Sequence, residues 1–525
     1  MIRTRTAPME KARVSAQLPI VIVSERGPLS FSVVDGEVHQ QPATGGLASA
    51  LGAVAAKYPA TWIAVAMSAD DRRAAQMSDK YEFGTTDVQL VDVPLPIHQQ
   101  HYATFANPFL WFVQHGMMGQ LSQPYSQEAI DRAWTCGYLP ANELVAHQAM
   151  LRVRRPDPIV LVQDYHFYLV PQLIRKVRPK ARIAHFVHIP WPTPDKWEAL
   201  PRSIVMQLLD GLLGADVVGF QSAMDAENFR AACKTFLPDT VVDESGSVRG
   251  VDGGYTRVRH YPITIDEPSL AGLLATDEAA RYRVEQARDG KVGMQTILRI
   301  DRLDPSKNIP AGFKAYGRLL ENAPELRGHV RFLAHLVPSR TELVEYQEEQ
   351  RKVLAAVREV NDRYGTVDWQ PIELIYEENR LRALVELENY DVLLVNSLAD
   401  GMNLVAKEGA TLNRRDGQIV LSNRAGSWEE LKGWAFSIDP TDIPGTARAL
   451  HQALVLPAEG RTALAAGLRC AVRATSMDRW LNDQINDLTE CESKQPLARV
   501  SGDWYPSPAS KVKSTSARTA ASSSF

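Results

Sequence analysis

The stretch Asp400-Gly401-Met402-Asn403-Leu404-Val405-Ala406-Lys407-Glu408 sets two carboxylates and a glycine where an apolar run turns into a helical pattern. The run, Asp391 to Asn396, reads as a buried parallel strand. Asp400 then falls at the carboxyl end of a strand, the edge where open α/β sheets bind ligands. The backbone N–H groups of Met402, Asn403 and Leu404 are expected to be the unpaired donors of a helix N-terminus, which suit a phosphate. Glu408, about two turns along that helix, is within reach of sugar hydroxyls. Taken alone, the same residues read as well as a helix cap and a solvated charge.

Cations stand at matching places. Ile300-Asp301-Arg302-Leu303-Asp304-Pro305-Ser306-Lys307-Asn308 follows one strand pattern and precedes a helix. Arg302 and Lys307 would form a cation pair for a diphosphate, a fork of N–H donors beside a point charge. The competing reading pairs Arg302 with Asp301 or Asp304. Arg340 follows the strand Val330 to Val337, and Arg26 follows Leu18 to Ser24, so the two are expected to face each other. Gly45-Gly46 precedes a helix and would let the backbone approach an anion; a plain turn is the alternative. Two further apolar strands end in Asp164 and in His188, the latter before a Pro-rich loop that fixes the backbone. Both ends would converge on one rim, although a lone histidine there reads equally as a structural hydrogen-bonder. Tyr102 and Trp111 carry polar handles within an aromatic stretch and are expected to line a cleft. No Walker loop, nucleophilic triad or metal-ligand spacing is present in the sequence.

These residues need two scaffolds. A chain of 525 residues exceeds one core. Strands alternate with helices to about residue 260 and again from Gln295, which predicts two doubly wound α/β domains. The expected layout is a tail over 1–17, a first domain over 18–262, a second over 263–475, a helix over 476–492 crossing back to the first, and a disordered Ser/Ala-rich tail over 493–525. Net charge is −4, from 58 basic and 62 acidic residues, which argues against a nucleic-acid or membrane-surface footprint. Four dispersed cysteines read as reduced thiols of a cytoplasmic protein. No apolar stretch approaches the ~20 residues of a membrane span.

In this order, the segments Ser24-Glu25-Arg26, Gly45-Gly46-Leu47, Tyr102 to Trp111, Gln163-Asp164-Tyr165-His166, His188-Ile189-Pro190-Trp191-Pro192, Asp301 to Lys307 and Asp400 to Glu408 resemble the trehalose-6-phosphate synthase family of retaining GT-B glycosyltransferases, family 20. The resemblance spans about residues 18–492. It implies two Rossmann-like domains facing across a cleft, and transfer of glucose from UDP- or GDP-glucose to glucose 6-phosphate. By position it implies that Arg26, Tyr102, Trp111 and Arg340 bind the acceptor phosphate. Gly46, Arg302, Lys307, Met402, Asn403, Leu404 and Glu408 would bind the donor, and Asp164, His188 and Asp400 would surround the transferred sugar. It implies neither cofactor nor metal, and is compatible with a homo-oligomer. Relatives of the same fold make glucosylglycerol phosphate, couple two cyclitols or act as sugar-phosphate sensors. Retention of Arg26 with Arg340 favours a sugar-phosphate acceptor. The sequence departs from the family pattern at Glu25, usually Asn, and at Trp191, Pro305, Asn308 and Ala399, which bears on acceptor and nucleotide preference.

Overall fold

The computed structural model describes residues 20–43, 51–52, 59–121, 125–152, 157–237, 239–250, 253–288 and 293–491. The expected tails and the Gly45-Gly46 turn lie outside them.

Short β-branched runs such as Ile20–Ser24 and Ile159–Gln163 are buried along their whole length, as strands covered on both faces must be. Seven strands form a parallel array. Ile20–Ser24 pairs on one side with Ala60–Val65, which pairs with Thr86–Val91. On its other side come Ile159–Gln163, Arg182–Phe186, Val217–Phe220 and Tyr255–His260. Short antiparallel strands, Tyr81–Phe83 at one end and Val248–Arg249 and Val241–Val242 at the other, complete a sheet of ten. The strand order reverses between Ile20–Ser24 and Ile159–Gln163, so this sheet has its crevice beyond Ser24 and Gln163.

The second sheet repeats the plan with six parallel strands. Gln295–Arg302 lies between Val330–Val337, itself paired with Ile372–Tyr376, and Val392–Val395, followed by Gln418–Ser422 and Phe436–Ile438. Its order reverses between Gln295–Arg302 and Val392–Val395, which puts Arg302 and the Asp400 loop at the switch point. Separate apolar clusters fill both faces of each sheet.

The final helix, Met477–Glu490, crosses back. Its Met477, Trp480, Leu481, Ile485 and Leu488 pack with Ile20, Ile22 and Phe186 of the first sheet. Trp480 Nε1 donates to the Tyr261 carbonyl at 3.1 Å, and Tyr261 Oη donates to Asp487 Oδ2 at 2.5 Å.

Local irregularities shape the elements around the site. Gln127–Ala133 runs through a π-helical turn, Trp134–Tyr138, into Leu139–Leu151. The wide turn fits Gly137 against the Gln100 backbone, where a Cβ would lie 2.5 Å from carbonyl carbon. Arg340 adopts φ 43°, and the long helix that follows starts only at Val344. A hairpin, Leu29–Val34 with Glu37–Pro42, follows the first strand and has no counterpart in the sequence reading.

Candidate active site

The first sheet's edge brings Arg26, Asp164 and His188 together with the aromatic helix Gln99–Leu110. Arg26 Nη2 donates to Tyr102 Oη at 3.3 Å. The Tyr102 ring stacks between His98 and His166, with centroids 5.5 and 5.8 Å away. Beneath them Glu25 is buried, with Oε2 3.3 Å from His101 Nε2 and Oε1 3.6 Å from His98 Nε2. Burial alone would raise the Glu25 pKa, but His101 and His98 outweigh it and hold the carboxylate ionised. The carboxylate that departs from the family pattern thus sits against two imidazoles.

Asp164 terminates its strand in a conformation, φ 66° and ψ 178°, that is nearly exclusive to glycine and costs about 1–3 kcal/mol. Its surroundings impose it. The Asp164 N–H donates to the Phe186 carbonyl at 2.7 Å, its own carbonyl lies 3.1 Å from His185 Nε2, and its Oδ1 accepts from the His188 N–H at 3.2 Å. Burial pushes the Asp164 carboxyl up to about 6, against the pull of the His188 and Tyr165 N–H groups and of Arg340 and Arg302. His188 holds its ring between two amides: Nε2 is 2.9 Å from Gln163 Oε1 and Nδ1 is 3.3 Å from Gln221 Nε2. Burial pushes its pKa down to about 3, so the ring is neutral at physiological pH.

The second sheet's edge carries the other cations, each beside a carboxylate. Arg302, whose side chain is 57% exposed, pairs with the fully buried Asp304 at 2.7 Å. This is the competing reading of the sequence, and it describes the unliganded site. Lys307, in the turn Pro305–Lys307, contacts Asp400 Oδ2 and lies 4.0 Å from Asp301 Oδ1. Burial would lower the Lys307 pKa, but Asp400 and Asp301 keep it above its ordinary value. Asp400 also accepts from Ser397 Oγ at 3.0 Å and Asn403 Nδ2 at 2.9 Å, which with Lys307 offset its burial and hold its pKa low.

The helix after Asp400 begins at Leu404, later than the sequence suggested. Asn403 is its cap: with φ 65° it turns Oδ1 onto the Ala406 N–H at 3.2 Å while its amide holds Asp400. Asp400 is therefore not the cap, and of the three expected donors Leu404 alone lies in the first turn. Met402 has its side chain buried among first-sheet residues. Glu408 is buried rather than solvated, and Arg380 Nη2 donates to it at 2.7 Å.

The two edges meet. Arg340 Nη2 donates to Tyr165 Oη of the first lobe at 3.1 Å, and its other nitrogen reaches Tyr346. Its guanidinium lies 5.4 Å from the Trp111 ring centroid. Trp111 is itself 2% exposed, so it seats Arg340 as a cation–π partner and offers little surface to a ligand. Asp304 Oδ1 lies 3.9 Å from Arg340, so one carboxylate sits between Arg302 and Arg340. At Gly401 the lobes touch by backbone: a Cβ there would stand 1.8 Å from the His188 carbonyl oxygen. Gly46 lies outside the described residues.

Four of the six non-glycine residues with positive φ among the described residues, Asp164, Asn308, Arg340 and Asn403, line these two edges. The sequence reading missed Gln163, Gln221, Lys407 and Arg380. Gln163, adjoining Asp164, and Lys407, adjoining Glu408, were open to notice. Gln221 and Arg380 carried no local signal, because what they bond lies 33 and 28 residues away.

Among curated proteins, the UDP-forming alpha,alpha-trehalose-phosphate synthase of Schizosaccharomyces pombe is 30% identical over 456 residues, covering 85% of each chain. The chain spans only 58% of the length of a UDP-forming synthase A of Dictyostelium discoideum and 64% of a bifunctional trehalose-6-phosphate synthase/phosphatase of Thermoproteus tenax, at 29% and 31% identity over 84% and 90% of its own length. Among solved structures, a UDP-forming synthase of Burkholderia xenovorans in complex with glucose-6-phosphate superposes with a TM-score of 0.77 at 28% identity, over 90% of this chain and all of that one. The E. coli trehalose-6-phosphate protein bound with UDP-2-fluoro glucose gives 0.78 at 27% identity, over 90% and 99%. The two facing parallel sheets are the GT-B fold of these neighbours. Residues 18–490 match the model of Glycosyltransferase family 20, and the chain belongs to that family.

Proposed function

We propose that this chain is a retaining glucosyltransferase that moves glucose from UDP-glucose to glucose 6-phosphate, giving α,α-trehalose 6-phosphate and UDP. One observation carries the reading: two sets of cations meet at one crevice, Arg302 with Lys307 and Arg26 with Arg340, with Asp304 between Arg302 and Arg340. A reaction joining a diphosphate-bearing donor to a phosphate-bearing acceptor needs two such sets. The UDP-forming relatives and the neighbour complexes with glucose-6-phosphate and UDP-2-fluoro glucose support both substrates. We take 18–262 as the acceptor lobe and 263–475 as the donor lobe, and the cytoplasm as the compartment.

In this reading the departing diphosphate takes Arg302 from Asp304 and Lys307 from Asp400, and its developing charge is met by cations already in place. Asp400, Asn403 and Glu408 orient donor sugar and ribose hydroxyls. Arg26, Tyr102 and Arg340 hold the acceptor phosphate. Both carboxylates at the centre serve as hydrogen-bond acceptors, Asp400 from Ser397 and Asn403 and Asp164 from the His188 N–H, and neither is assigned a covalent step. Transfer then proceeds on one face, with the leaving phosphate taking the acceptor proton. His188, neutral and occupied at both ring nitrogens, borders the transferred sugar and is no general base. Contact between the lobes at Gly401 brings the reactants together and excludes water.

The test offers UDP-glucose or GDP-glucose with glucose 6-phosphate or glycerol phosphate, and assigns the product linkage by NMR. An α,α-1,1-linked disaccharide phosphate is expected with UDP-glucose and glucose 6-phosphate. No product with glucose 6-phosphate, or a product only with glycerol phosphate, would refute the proposal.

A further inference from the structure

Ile263, where the chain leaves the first sheet for the second, has both of its polar backbone groups held by side chains. Its N–H donates to Gln221 Oε1 at 3.1 Å, and its carbonyl accepts from Lys407 Nζ at 2.8 Å. Gln221 is 3% exposed and follows the strand Val217–Phe220; its amide nitrogen is the group that faces His188 Nδ1. Lys407 is fully buried on the helix Leu404–Leu412 and has Glu430 Oε2 as a second partner at 2.5 Å.

The direction of this chain of bonds is forced. A backbone N–H can only donate, so Gln221 must turn its oxygen to Ile263. Its NH2 then points at His188, whose Nδ1 must accept. The ring proton is left on Nε2, where Gln163 Oε1 receives it at 2.9 Å. An imidazole otherwise free to exist as either tautomer is thereby fixed by the backbone of the inter-lobe crossing. Lys407 closes the arrangement from the other lobe. A buried ammonium costs far more than a methionine of similar volume unless its contacts are needed, and here they are the crossing carbonyl and Glu430.

We propose that Gln221 and Lys407 are positioning residues that tie the tautomer of His188 to the position of the inter-lobe crossing, so that the imidazole is set only when Ile263 is seated between them. This rests on the transferase reading for its kinetic consequence, but not for its structural one.

Histidine-selective 15N NMR of the substrate-free wild type reads the tautomer directly. His188 is expected with a proton on Nε2 and none on Nδ1. Gln221→Glu keeps an acceptor for the Ile263 N–H but presents an acceptor to Nδ1 as well. It is expected to protonate Nδ1 and to lower kcat by about 10- to 100-fold, the scale of losing a group that orients a functional imidazole. Lys407→Met is expected to raise the fraction of donor hydrolysed rather than transferred, with Lys407→Arg restoring transfer. A wild-type His188 protonated on Nδ1, a Gln221→Glu protein with unchanged tautomer and kcat, or a Lys407→Met protein that partitions donor as the wild type does would each overturn the proposal. Absence of any wild-type transfer would instead sink the transferase reading, and the NMR result would still decide the tautomer.

Discussion

The two edges of the crevice hold positive charge in different ways. On the second lobe each cation already has an acid: Arg302 has Asp304, and Lys307 has Asp400 and Asp301. On the first lobe Arg26 leans on a phenol, and Arg340, reaching over from the second, rests on Tyr165, Tyr346 and Trp111 with Asp304 at 3.9 Å. An anion arriving at the former must exchange with carboxylates. One arriving at the latter meets cations held mainly by rings, which give up no counter-charge. The first arrangement suits a group whose charge grows during the reaction, because acids and anion compete until the bond breaks. The second suits a group whose charge is constant and which needs only a fixed seat.

Substitutions can break this contrast. The largest effect is expected for Arg302→Ala, which should lower kcat by about a thousandfold, the scale of removing a cation from a developing negative charge. Its melting temperature should stay near that of the wild type, because the buried Asp304 keeps Arg340 at 3.9 Å. Near-normal turnover would dissolve the donor side of the comparison. Arg340→Ala should raise the acceptor KM by about 10- to 100-fold, as expected for losing a charge-assisted contact, and change the donor KM far less. Equal changes in both would mean that the edges are not distinct.

A third effect concerns the neutral imidazoles buried in the first lobe. Burial pushes the His185 pKa down to about 3, partly opposed by its bond to the Asp164 carbonyl. Below pH 6.5 the unfolded chain takes a proton that the folded one refuses, so stability falls as pH drops from about 6.5 toward 3. Between pH 7 and 5 this group alone contributes a loss of about 2 kcal/mol. Urea titrations of His185→Gln should lose that much less than the wild type over the same interval, and an identical pH slope would contradict the assignment. The smallest effect is expected for Tyr102→Phe: about a fivefold rise in acceptor KM, for one hydrogen bond of ~1 kcal/mol to Arg26.

Period and strand endings made much of this legible in the sequence. Val330–Val337 has the expected limits, and the apolar runs before Arg26, Asp164, His188, Arg302 and Asp400 all end at a carboxyl edge. Which partner each charge chooses was not legible. Arg302 beside Asp304 and Asp400 beside Lys307 depend on loop geometry, and Glu408 beside Arg380 on the packing of two helices. The start of the helix after Asp400 shifted to Leu404 because Asn403 takes a left-handed conformation, which periodicity does not report. Trp111 was read as a cleft residue because an indole has a polar handle, yet packing under Arg340 buries it. Gln221 was silent because it answers to a backbone group of a segment with no pattern of its own.

The backbone contact at Gly401 restricts how the halves of this protein can part. With a bare α-carbon pressed on a carbonyl across the seam, and no room there for even one methyl group, lateral travel of one half over the other would run atoms into each other. Access to the crevice must come from rotation about the chain crossings, and a side chain installed at residue 401 would act as a doorstop.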